Sequence, residues 1–198
     1  MDQQIAWLHL SDLHIRAGDQ YDQQVALSPL LGDLTAIVEQ GRQDFDCIFV
    51  TGDVAYSGRA EEYEVATKFF RSLSSATAVP TGRIYCVPGN HDVDRSRLTP
   101  FLVESARTLG SCELVLQVIG NASERSLFTD RQRPYYDFLK ATFPWAGTVE
   151  PSDLSYTHIL ELKGRRLAIV GLNSAWVAGS DLTFRTPVSD RSAFNHER

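Results

Sequence analysis

Arg83 to Asp92 reads R-I-Y-C-V-P-G-N-H-D: an apolar segment of strand length that stops at Pro88-Gly89 and is followed at once by an amide, an imidazole and a carboxylate. Two earlier segments have the same form. Ile5 to Leu10 (I-A-W-L-H-L) runs into Ser11-Asp12-Leu13-His14, and Phe45 to Thr51 (F-D-C-I-F-V-T) runs into Gly52-Asp53. Short, mostly apolar runs of this kind suit parallel strands covered on both faces. Between them lie helical patterns. Ser28-Pro29 reads as an N-cap with proline at the first helical position, and Leu30, Leu31, Leu34, Ile37 and Val38 then repeat at helical spacing up to Gly41. Tyr63, Ala66, Phe70 and Leu73 mark a second helix from about Ala60 to Ser75. Strand, helix, strand, helix, strand predicts crossover units building a parallel sheet, an α/β fold.

The polar clusters matter because the carboxyl ends of parallel strands line one crevice, where ligands bind. Asp12, His14, Asp53, Asn90 and His91 are thereby expected to converge. Asp12 and His14 are two residues apart, so an extended exit from the strand turns both side chains to one side, where they can share a metal ion. Gly52 lets the chain turn sharply before Asp53, whose two carboxylate oxygens can bridge two cations. Asn90 offers a neutral carbonyl oxygen to a second ion. This mixture of oxygen and imidazole suits divalent Mn, Fe, Co or Zn, and two such ions can clamp a phosphoryl group and activate a water for in-line attack. His91 is placed to face a substrate beside the metals, stabilising phosphoryl oxygens or protonating the leaving alkoxide, and Asp92 can accept a hydrogen bond from its ring.

Composition sets bounds. The chain has 198 residues, 25 acidic against 19 basic, for a net charge of -6. That balance argues against a protein that coats nucleic acid, which needs a positive field. Cys47, Cys86 and Cys112 match no zinc or disulfide spacing; Cys47 and Cys86 lie in apolar runs and read as buried hydrophobes, consistent with a reducing cytoplasm. The first residues form no basic n-region, and no apolar run approaches the roughly 20 residues that span a bilayer, so no membrane role is expected.

Beyond Asp94 the pattern changes. Residues 98–145 carry no clear strand and are expected to form a helical insertion, with an aromatic stripe between Ser123 and Phe143 broken at Pro134 and the Leu114 to Ile119 stretch too short to classify. Arg131, Arg133, Tyr135 and Tyr136 read either as a basic, aromatic lip for a nucleotide or nucleic acid, or as a helix with a charged outer face and a buried aromatic one. Thr157 to Leu162 and Leu167 to Leu172 flank Lys163-Gly164-Arg165 and predict a hairpin. Residues 180–198 read as a loop or tail. His9 is expected to be a hydrogen-bonded core histidine, and His158 an ordinary strand residue.

The order D-L-H (Asp12 to His14), G-D (Gly52-Asp53) and G-N-H-D (Gly89 to Asp92) resembles the calcineurin-like metallophosphoesterase superfamily. The run T-G-D-V-A-Y-S-G-R-A-E-E-Y (Thr51 to Tyr63) with V-P-G-N-H-D-V-D-R (Val87 to Arg95) is similar to a bacterial subgroup that often forms the N-terminal module of larger proteins, and Gly171 to Trp176 resembles a strand end of cyclic-nucleotide-phosphodiesterase-like members. The resemblance implies a β-sandwich core flanked by helices, two divalent ions, and hydrolysis of a phosphodiester or phosphomonoester, with a cyclic nucleotide or nucleic acid end as candidate substrate. It implies Asp12 and His14 on one metal, Asp53 bridging, Asn90 on the other, and His91 as acid; Asn90 and His91 are expected to face substrate, and Asn173 either to shape the wall of the substrate cleft or simply to end a strand. The family also supplies a lone histidine and a Gly-His-x-His pair downstream; here only His158 and His196 follow His91. The expectation is therefore a single domain over 1–198 that lacks its C-terminal ligands, with further domains following. The rival reading is a regulatory or binding module with an incomplete metal site. The absence of Asp-Arg-Gly in the second motif disfavours a protein phosphatase.

Overall fold

The computed structural model describes residues 4–18 and 26–178, so the 180–198 segment and His196 lie outside the described residues. Strands β1 (Trp7–Leu10), β2 (Cys47–Thr51) and β3 (Ile84–Val87) form a parallel sheet in the order β1-β2-β3, with Leu8 opposite Ile48 and Val50 opposite Cys86. Helix α1 (Ser28–Glu39) links β1 to β2, and α2 (Ala60–Thr77) links β2 to β3. Ser28 is the first residue of α1 rather than its cap, a position held by Leu27. The α2 start is fixed by Glu62, whose carboxylate accepts the N–H groups of Ser57 and Arg59 and the Ser57 hydroxyl.

The period of two along each strand divides the core. Ile48, Val50, Ile84 and Cys86 pack with Leu34, Ala66, Phe70 and Leu73 of the helices, while Cys47 and Tyr85 pack with the hairpin β4 (Ser155–Leu162) and β5 (Arg165–Leu172) through Leu160, Leu162 and Ile169. The hairpin is antiparallel as expected, and two β3 carbonyls accept side-chain donors: Trp145 Nε1 to Ile84 O at 2.7 Å and Tyr156 OH to Cys86 O at 3.0 Å. Cover on the hairpin side is partial. Trp7 is 59% exposed and His9 is exposed, bonded to Thr51 Oγ1 at 2.7 Å, so β1 is not covered on both faces and His9 is not a core residue. In the β1 sequence only His9 sets the Trp7–His9 face apart from the Leu8–Leu10 face, because cover itself comes from distant segments.

The 98–145 region is helical, as its lack of strand pattern suggested: α3 (Pro100–Thr108), α4 (Cys112–Gly120), α5 (Ala122–Thr129) and α6 (Arg133–Thr142). Pro134 sits in the first turn of α6, where a missing N–H costs nothing. Only the last part joins the core. α3 and α4 contain no buried residue, whereas Tyr135, Tyr136, Phe138 and Leu139 of α6 are buried against α2. Among the described residues no helix is long and apolar enough to cross a membrane.

Phe70 is fully buried, within 5.4 to 5.6 Å ring distance of Phe69, Phe138 and Phe143. Phe70→Ala is expected to cost about 3–5 kcal/mol, read from the urea midpoint. Asp46 joins three segments by accepting Ala6 N–H and Lys163 Nζ, the latter at 2.7 Å. Burial alone would raise its carboxyl, but the Lys163 and Ala6 hydrogen bonds outweigh that and leave it lowered. A lowered carboxyl contributes stability above its unfolded value near 3.9 and loses it as pH falls through the folded value. Asp46→Asn should therefore destabilise by about 1 kcal/mol at neutral pH, and the difference from wild type should close in acid.

Candidate metal centre

The three strand-end loops meet. The Asp12 N–H donates to Gly52 O, His14 N–H to Asp53 O at 2.9 Å, and Ile15 N–H to Val54 O, with a parallel bridge between Ile15 and Ala55. Ile15, Val54 and Ala55 are buried, so this pairing anchors the first loop on the second and leaves His14 and Asp53 half-buried beside it. The backbone here is strained. Asp12, His14 and Asp53 all have positive φ, at 56°, 46° and 54°. Each such residue costs about 1–2 kcal/mol relative to the right-handed region, and strain of this kind collects where a ligand site demands it. The strand exit is thus not extended, yet Asp12 and His14 still turn to one side, with His14 Nε2 3.8 Å from Asp12 Oδ1.

The third loop is a single turn, Asn90–Asp92, and it locks onto the second. His91 N–H donates to Asp53 Oδ1 at 2.8 Å. Gly89 makes this approach possible: a Cβ there would lie 2.1 Å from Asp53 Oδ1 and 2.5 Å from Asp53 N. The His91 ring stands 4.5 Å from that of His14, centroid to centroid, and its Nδ1 lies 2.6 Å from Tyr56 O. A carbonyl can only accept, so Nδ1 donates to Tyr56 O.

His14, Asp53 and His91 each place a ligand atom within 4.8 Å of the others, close enough that the three could hold a divalent cation. The donor set fits that use. Among the described residues His14 Nδ1 is buried with no hydrogen-bond partner, and a carboxylate beside two imidazoles is a donor set that divalent cations accept. Asp12 and Asn90 lie exposed at the rim of the same cluster. Four of the residues singled out in the sequence, Asp12, His14, Asp53 and His91, are therefore linked by direct contacts, and Asn90 joins them through the backbone of its turn.

Two expectations fare differently. Asp92 does not meet the His91 ring. It is fully buried, and its carboxylate accepts N–H groups from Val54, Ala55 and Gly89 and the Tyr63 hydroxyl at 2.9 Å. Burial pushes it up to about 6 against the pull of these donors. Asn173 is also buried, its amide bonded to Gln132, Tyr136 OH and Ala175 N–H, so its polar atoms are spent inside the fold. The Arg131 to Tyr136 lip does not form: Arg131, Tyr135 and Tyr136 are 4% exposed or less. His158 is a strand residue against Tyr85, as expected, with ring centroids 5.4 Å apart. Sequence reading missed Tyr56 and Tyr63. Tyr63 sits at a core position of a helical pattern, and only its hydroxyl reaches Asp92; Tyr56 follows Asp53 by three residues in a loop whose path no periodicity describes.

Asp92→Asn should cost about 2–4 kcal/mol, because an amide NH₂ must face backbone N–H donors, and should weaken divalent-cation binding measured by calorimetry. Gly89→Ala should abolish that binding while a distant control such as Phe70→Leu retains it.

Comparison with known proteins agrees with this geometry. The chain is 25% identical over 134 residues to the uncharacterized metallophosphoesterase-like protein YydB of Bacillus subtilis (strain 168), a match covering 68% of this chain and 27% of that protein. The chain thus spans about a quarter of the length of the curated relative it matches. The family model for calcineurin-like phosphoesterases matches residues 7–184, from β1 through the segment beyond β5, and on that match the chain belongs to the calcineurin-like phosphoesterase family.

Proposed function

We propose that this chain is a hydrolase that cleaves a phosphodiester with the help of two divalent cations. The observation that carries the reading is the meeting of His14, Asp53 and His91 within 4.8 Å on a backbone strained at Asp12, His14 and Asp53. Asp12 and His14 would hold one cation, Asn90 the other, and Asp53 both. Cations there would neutralise phosphoryl charge and acidify water.

The chain's own residues supply the rest. Asp53 Oδ1 accepts the His91 N–H, which leaves Oδ2 for the cluster and couples its position to the third loop. His91 is oriented by its Nδ1 contact with Tyr56 O, which leaves Nε2 for the site; in this reading His91 stands beside the cations without ligating them, and in the imidazolium form it would give the Nε2 proton to the departing oxygen. Asp92 holds the loops on which both sit and acts through them, not on substrate. Asn173 acts in the same indirect way, by fixing the turn after β5. The diester preference is supported by the resemblance of Gly171 to Trp176 to diesterase-like relatives, and a β-sandwich core by the packing of the hairpin on the sheet.

A second reading, a metal or nucleotide binding module without turnover, is favoured by His158, which is committed to Tyr85 and brings no downstream imidazole to the cluster. Incubation with manganese discriminates. The enzyme reading expects two manganese equivalents by elemental analysis, faster hydrolysis of bis(p-nitrophenyl) phosphate than of p-nitrophenyl phosphate, and loss of at least a hundredfold in Asp53→Asn. Faster monoester turnover would remove the diester assignment, and one equivalent or none with no hydrolysis would establish the binding module.

A further inference from the structure

We propose that Glu62 is a positioning residue for His91, fixing the direction of the imidazole across the single peptide unit that joins Tyr56 to Ser57. The inference rests on the phosphoesterase reading above. The carbonyl of that unit accepts His91 Nδ1 at 2.6 Å, and its N–H, on Ser57, donates to Glu62 Oε2 at 3.0 Å. A trans peptide is planar, with C=O and N–H pointing in opposite directions, so the imidazole and the carboxylate hold one rigid unit from its two sides. Turning the carbonyl away from His91 would break the Glu62 bond at the same moment.

The surroundings of Glu62 suit this task. Its side chain is buried, 5% exposed, and it also accepts the Ser57 hydroxyl through Oε1 at 2.8 Å and the Arg59 N–H through Oε2 at 3.1 Å, so both oxygens are committed to the loop. Starting α2 needs only the bond to Arg59, the residue at its N-cap; the two bonds to Ser57 lie outside the helix and hold the loop instead. The rest of the loop is clamped as well. Tyr56 N–H donates to Ile15 O at 3.0 Å, and Gly58, at a φ of 72°, lies so close to the next segment that a Cβ would stand 2.6 Å from Val93 C and 2.7 Å from Asp94 N. A carboxylate on the N–H of a peptide also polarises its carbonyl, which makes the oxygen facing His91 a stronger acceptor. Among the described residues the Nδ1 partner of His91 is this carbonyl and no carboxylate, since Asp92 is turned to Val54, Ala55, Gly89 and Tyr63. Glu62 therefore does from one peptide away what a carboxylate bonded to the ring would do directly.

Two variants test this, Glu62→Gln, which keeps the shape of the side chain without its charge, and Ser57→Ala, which removes only the hydroxyl bond. Manganese-loaded proteins are compared on two diesters with different need of an acid: bis(p-nitrophenyl) phosphate, whose leaving group departs as a stable anion, and diphenyl phosphate, whose leaving group requires a proton. Glu62→Gln is expected to lower kcat for diphenyl phosphate about tenfold or more and for bis(p-nitrophenyl) phosphate less than about threefold, with KM and calorimetric manganese affinity unchanged. Ser57→Ala should show the same pattern at smaller size, and it carries the comparison if Glu62→Gln fails to fold. A second readout needs neither metal nor turnover. In long-range proton–nitrogen NMR spectra of the metal-free protein, taken in alkaline buffer where imidazoles are neutral, the His91 ring proton is expected on Nδ1 in wild type and divided between the two nitrogens in Glu62→Gln, with the signals assigned by their loss in His91→Asn. A wild type that hydrolyses no ester would overturn the phosphoesterase reading and leave the NMR comparison to decide on Glu62. Equal losses on the two diesters, a parallel fall in manganese affinity, a wild-type ring protonated on Nε2, or a His91 spectrum unchanged in both variants would overturn the proposal.

Discussion

The carboxylate of Asp92 is the point on which the site depends. It lies at zero exposure behind the cluster and accepts four donors from three places: Val54 and Ala55 just after Asp53, Gly89 just before the Asn-His turn, and the Tyr63 hydroxyl on α2. Taking a carboxylate out of water is expensive unless its lone pairs are filled, and here burial still holds the group up at about 6 despite those donors. The fold tolerates that cost because no other single group could bind the loops after β2 and β3 to each other and to the helix behind them. A buried amide would meet some of the same N–H groups with an N–H of its own.

That anchor also explains how strained backbone persists at Asp12, His14 and Asp53. Left-handed conformations are unfavourable for these residues in isolation, and three in one small region need over-determined surroundings. The surroundings supply them: the β-bridge of Ile15 with Ala55, the backbone bonds of Asp12 and His14 to Gly52 and Asp53, and the contact of Asp53 with the His91 N–H over the bare Cα of Gly89. Charged and imidazole groups are thereby held close before any ligand arrives, which is what a cation site and a pre-placed proton donor both require. The consequence is that geometry at the candidate metal centre is set by main-chain contacts among loops, so residues outside the cluster still control it.

Besides the packing of α6 on α2, the inserted helices attach to this arrangement through Arg131. Arg131, 3% exposed, donates to Phe128 O, Ala178 O and Trp176 O, and its own carbonyl accepts the Asp94 N–H. Burial lowers its guanidinium to about 10, which leaves it charged at neutral pH. Val93 packs with Ala175 and Ala178 at the same junction, and Asn173 closes it with Gln132 and Tyr136. The N-H-D turn is therefore backed by α5, α6 and the segment after β5, while α3 and α4 stand away from the core with Phe101 and Leu116 more than half exposed.

Much of the architecture and the core of the site were legible in the chain itself. Apolar runs with period two and helical stripes are local properties, so β1 to β3, α1, α2 and the hairpin could be located, and the rule that parallel strands end at one crevice brought Asp12, His14, Asp53 and His91 together on paper. What the residues at those strand ends do individually was only partly readable. Asp92 and Asn173 have the chemistry of site residues, but whether a polar group faces a ligand or the interior depends on which distant segments cover it. Tyr63, Gln132 and Tyr136 do so here, from positions 29 to 41 residues away in the chain. Burial of Arg131 and exposure of His9 have the same origin. The sequence by itself determined the elements and the types of ligand at their ends, because these follow from local periodicity and side-chain chemistry. Only the tertiary structure decided which polar groups look outward and which hold the loops, because that is a matter of long-range packing and of main-chain hydrogen bonds that no side-chain pattern records.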